Sequence, residues 1–116
     1  MMNTSDYIVH ICPQGDWLKA QDAGVYRAES LGTEGFIHCS RPAQALDVLN
    51  RFYQGVLDLL LLWIDPRQVE ADIRWEAVDG DEFPHIYGPL NLDAVIAVDE
   101  LSPDADGVYR HLPKRP

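Results

Sequence analysis

The stretch from Leu57 to Ile64 restricts this chain most: it is apolar at every position but Asp58, and Asp65-Pro66 ends it. A strand with one wet face would carry a polar residue at every second position, so a near-continuous run marks a strand covered on both sides. The run is far too short for a membrane helix, which needs roughly 20 apolar residues. The rest of the chain must therefore coat two faces of one central strand. With 116 residues and 47% hydrophobic content it has material for one domain spanning residues 1–116, with its core over about 7–100.

The flanking segments supply that coat. Tyr7 to Cys12 is rich in β-branched and aromatic residues and is closed by Pro13, which predicts a first strand whose one polar side chain is His10. Gln14 to Ala23 reads as a short helix with Gly24 as its left-handed cap. Gly35 to Ser40 reads as a strand with Phe36, His38 and Ser40 on one face and Ile37 and Cys39 on the other. Ser40 then suits the N-cap of a second helix with Pro42 in its first turn. Ala45, Leu46, Leu49, Phe52 and Tyr53 form the apolar stripe of that helix, up to Gly55.

Ile73 to Val78 and Phe83 to Tyr87 flank Asp79-Gly80 as two strands joined by a loop longer than two residues, and Ala94 to Val98 is a last strand. The segment 102–116, rich in proline and charge, is expected to be irregular. Strands in clusters with helices inserted early argue for an α+β fold rather than repeating βα units.

Charge and motifs narrow the function classes. A formal net charge of −10 repels a phosphate backbone, so long nucleic acid is not an expected partner. The N-terminus lacks the pattern of a secretory signal, which makes a cytoplasmic location and no membrane association the expectation. Cys12 and Cys39 are too few and too far apart for a disulfide framework or a four-cysteine zinc site. No phosphate-binding loop, dinucleotide fingerprint, HExxH or nucleophile-elbow motif is present.

Chemistry must then come from polar groups that interrupt apolar strands, because burying them is costly unless they are bonded or used. His10, His38 and His85 are such groups, each able to donate and accept near neutral pH. Phe83, His85 and Tyr87 alternate onto one face, which could stack on a planar ligand or pack against the helix from Gln44 to Tyr53. Glu76, pointing away from Trp75, could be an acid, a base or a hydroxyl acceptor. Zinc would draw on His10, His38, Cys39 and His85, but His38 and Cys39 face opposite ways, so no metal ligands are assigned.

His10, Trp17 and Gly24, the run Gly35-Phe36-Ile37-His38 with Ser40, then Gln44, Ile64-Asp65, Trp75-Glu76, and Phe83-Pro84-His85 with Tyr87-Gly88 together resemble the bacterial family known as domain of unknown function 952, over Tyr7 to about Asp99. Members of that family look like distant relatives of the ADP-ribosyltransferase fold. The resemblance implies a single domain with a bent, split, mostly antiparallel sheet and two main helices around a cleft, with NAD as the implied cofactor. In the terms of that superfamily, His10 would meet a ribose hydroxyl, and His38 and Glu76 would join it as the catalytic group. Ser40, Phe83, His85, Tyr87 and Trp17 would bind the ligand. The expectation is a nucleotide-binding domain with ADP-ribosyl transfer or hydrolysis. The alternatives are a non-enzymatic module for small ligands or protein partners, and a small metal-dependent hydrolase.

Overall fold

The computed structural model describes residues 6–113. In chain order it places β1 (Ile8–Pro13), α1 (Gln14–Ala23), β2 (Val25–Tyr26), α2 (Glu29–Glu34), β3 (Ile37–His38) and α3 (Ala45–Phe52). β4 (Leu59–Ile64), β5 (Asp72–Val78), β6 (Asp81–Tyr87), β7 (Leu90–Asn91) and β8 (Val95–Leu101) follow. The content is mixed α+β, and the strands pair antiparallel in three groups: β1-β4-β8, β2-β7 and β3-β6-β5.

The apolar run behaves as its composition demands. β4 is the middle strand of its group and is buried at every position. Its alternate side chains feed two cores: Leu60, Leu62 and Ile64 join Tyr26, Ile37 and Ile86 on one side. Leu59, Leu61 and Trp63 join Val9, Ala45 and Leu49 on the other. α3 thus packs on the β1–β4 surface through Ala45 and Leu49.

Gly24 caps α1 in the left-handed conformation as expected, its N–H bonding Ala20 O at 2.8 Å. Three local expectations are corrected. Ser40 does not cap a helix; its backbone N–H and C=O pair with Val9, both bonds 2.8 Å, stitching the β3 end to β1. The helix start is made by a 3-10 turn over Pro42–Gln44, where the Gln44 side chain folds back to accept from the Arg41 N–H at 2.8 Å. Asp79-Gly80 joins β5 and β6 directly, because Val78 pairs with Asp81 and both turn residues take positive φ, 51° and 83°. That is the mirror-image turn whose twist matches paired strands, so the loop is shorter than the sequence implied. The short α2, β2 and β7 were not expected. Residues 102–113 form no helix or strand, and 114–116 of the expected irregular segment lie outside the described residues.

Candidate functional site

Registration of three strands assembles the site. His38 on β3 stands opposite His85 on β6, and His85 stands opposite Arg74 on β5. Residues directly opposite in a sheet share a face, so His38, His85 and Arg74 form one row across β3-β6-β5. Two residues along each strand, the same face carries Phe36, Tyr87 and Asp72 on one side of that row, and Phe83 and Glu76 on the other. Alternation along the sequence puts Phe36 with His38, and Phe83 with His85 and Tyr87; strand pairing joins these to Arg74, Asp72 and Glu76 as one face.

Glu76 and His85 are its centre. His85 Nδ1 lies 2.7 Å from Glu76 Oε1, and the Tyr87 hydroxyl donates to the same oxygen at 2.5 Å. Tyr87 first and His85 second hold the Glu76 carboxyl below its ordinary range, and Glu76 in return raises the Tyr87 phenol. An ionised carboxylate only accepts, so Nδ1 donates to it, and in the neutral form of the imidazole this tautomer leaves the lone pair on Nε2. Phe36 stacks on the His85 ring at 4.2 Å and 22°, fixing its plane and leaving its side chain 5% exposed.

His38 is the open partner. Its side chain is 52% exposed, its Nε2 lies 2.9 Å from Glu34 Oε2, and its ring meets His85 edge-on at 5.3 Å. The Arg74 guanidinium sits 4.3 Å over the Tyr87 ring while its Nε donates to Asp72 at 2.9 Å. With Glu34, Asp72 and Glu76 against Arg74, the carboxylates of the face outnumber its arginine. It favours a neutral or cationic ring and disfavours an anion in contact with it.

The remaining predicted residues are placed elsewhere. His10 is buried and supports the site from behind: its Nδ1 donates to the His38 carbonyl at 2.5 Å and its Nε2 accepts from the Tyr26 hydroxyl at 2.7 Å. Burial pulls its pKa down to about 4, so it stays neutral with both nitrogens occupied, and neither is free for a ribose hydroxyl. Trp17 packs against the core that contains Tyr26, away from the histidine row. Ser40 is buried and enters the arrangement through its backbone. Phe83, half-buried, stands opposite Glu76 at the edge of the face.

Sequence reading missed Glu34, Phe36, Arg74 and Tyr26 as members. Arg74 and Phe36 were within reach, being two residues from Glu76 and His38 on strands. Two surface cavities, about 330 Å³ beside Lys19 and Arg27 and about 260 Å³ beside Leu57 and Tyr109, take in none of the residues of the histidine face. No group of three or more His, Cys, Asp or Glu side chains is arranged to hold a metal among the described residues.

Residues 11–98 match the family model described as "Protein of unknown function (DUF952)". The X-ray crystal structure of protein CC0527 from Caulobacter crescentus superposes with a TM-score of 0.82 at 32% identity, covering 90% of this chain and 93% of that one. The solution NMR structure of CC0527 gives a TM-score of 0.78 at the same identity, over 90% and 92%. No curated protein matches the chain.

Proposed function

This chain belongs to the DUF952 family, and from the geometry of its histidine face we propose that it binds a nucleotide-like ligand such as NAD, with His85 as the proton acceptor. The observation that carries the reading is the shared oxygen of Glu76. By taking both the His85 Nδ1–H and the Tyr87 O–H, it fixes the tautomer that leaves Nε2 basic, the arrangement a general base needs. No protein partner occupies Nε2 among the described residues.

The charge pattern orients the ligand. Phe36, Tyr87 and the surplus of carboxylates suit a planar cationic ring, such as the pyridinium of NAD, while its phosphates lie away from the face. His38 meets the ligand beside His85. His10 acts as a positioning residue, holding the backbone of His38 through its bond to the carbonyl. Transfer or hydrolysis at the ring's glycosidic bond is the chemistry this arrangement would serve, with Glu76 as the orienting carboxylate.

Thermal unfolding in the presence of NAD, ADP-ribose and nicotinamide nucleotides tests this, since a ligand of the folded state alone raises the midpoint. NAD is expected to raise it in the wild type, with the rise lost in His85→Ala and Glu76→Gln. A rise that persists in both variants places the ligand elsewhere, and none with any nucleotide leaves the face as a surface for non-nucleotide ligands.

A further inference from the structure

We infer that two copies of this chain associate through the free edge of β5, antiparallel about Trp75, bringing the partner's arginine at position 74 to the open side of Glu76. β5 is the outer strand of its sheet, seven residues long, without proline and without a register shift against β6. Such an edge invites a further strand unless it is blocked.

The direction of its backbone follows from the neighbouring ladder. The Pro84 carbonyl accepts from the Cys39 N–H at 3.1 Å, so Pro84 turns its backbone toward β3. Its partner on β5 is Trp75, which therefore forms a non-hydrogen-bonded pair with β6 and turns its own N–H and C=O outward. Ile73 and Ala77 do the same by alternation. No loop or turn backbone of the described residues bonds to this edge.

The sequence of the strand is self-complementary about that point. With Trp75 on a two-fold axis, Trp75 exchanges both backbone bonds with its copy, and Ile73 faces the copy's Ala77 in the same way. Arg74 then faces the copy's Glu76 in the closer, non-hydrogen-bonded position, twice over. Both groups have capacity to spare. Arg74 uses Nε on Asp72 while its terminal nitrogens donate no hydrogen bond, and Glu76 uses Oε1 for His85 and Tyr87 while Oε2 accepts none, among the described residues.

On the opposite face the Trp75 ring is 47% exposed and backed by the Arg41 guanidinium at 5.9 Å, so the pair of rings would be covered on association. β8, an outer strand of the β1-β4-β8 group, carries Asp99 and Glu100 and no cation, so pairing with itself would bring acid near acid. The partner's arginine would also add a second positive charge beside the carboxylate that orients His85. Association is measured without any ligand, so it stands or falls apart from the nucleotide reading.

Sedimentation velocity over a wide concentration range at about 0.15 M salt tests the inference. A concentration-dependent shift from 13.1 kDa toward twice that mass is expected. Arg74→Glu should abolish the shift, and Arg74→Glu combined with Glu76→Arg should restore it. Ala77→Pro removes an outward N–H and no ladder bond to β6, so it should give a folded monomer by circular dichroism. A wild type that is monomeric throughout, or a dimer that survives both Arg74→Glu and Ala77→Pro, overturns the inference.

Discussion

His10 is the residue whose ionisation the fold opposes most plainly. Its folded pKa of about 4 lies below the ordinary 6.5, because burial penalises the imidazolium. Between those values the unfolded chain binds the proton that the folded chain refuses. The stability His10 confers is therefore complete above about pH 6.5 and falls as pH drops toward 4, by about 3 kcal/mol in all. Urea unfolding at pH 7 and pH 4.5 should show this loss, and His10→Gln should start less stable but vary less across the same window. The identity of this site was legible at the residue scale only in part. Alternation placed Phe36 with His38, and Phe83 with His85 and Tyr87, and turned Glu76 away from Trp75. Which strand lies beside which is set by pairing between segments tens of residues apart, so neither the His38–His85 row nor the bonds of His10 to Tyr26 and the His38 carbonyl could be read from spacing.

Among elements, the β5–β6 hairpin is the one that carries the site, and its geometry rests on two residues. Asp79 and Gly80 both adopt left-handed φ, which costs little for glycine and about 1–2 kcal/mol for most other residues. Gly80→Ala, whose added Cβ meets no other atom, should thus lower stability by about 1 kcal/mol in chemical denaturation through backbone strain alone. The sequence showed both strands and the turn residues but suggested extra loop, because Asp81 and Glu82 are charged; they are strand residues on an exposed hairpin end. α3 was legible because its stripe is apolar at helical spacing. α2 was not, since Ser30, Gly32 and Thr33 within six residues weaken any helical pattern, and its fold follows from Leu31 packing on the core.

At the scale of the molecule, β4 is shared by two cores that lie on its opposite faces. Removing a side chain from either face should therefore weaken the same cooperative unit. Leu61→Ala and Leu62→Ala are each expected to cost about 2–5 kcal/mol, with one unfolding transition by both fluorescence and circular dichroism in each case. Two separated transitions would mean that the cores fold independently. The α+β class and the central strand were the parts of this architecture that the sequence made plain, since six apolar residues in a row, closed at once by Asp65-Pro66, suit a short strand buried on both faces.

One detail of the backbone gives the molecule a crease. Between the β1-β4-β8 group and the β3-β6-β5 group, the backbone hydrogen bonds among the described residues are the reciprocal pair of Val9 and Ser40. Bending at that line breaks no other such bond, and it lies two residues from His38 and one from the carbon chain of His10. The three-stranded leaf that holds Glu76, His85 and Tyr87 is accordingly held to the body of the molecule by three things: that stitch, the His10 bond to the His38 carbonyl, and the core that Ile37 and Ile86 share with Leu60 and Leu62.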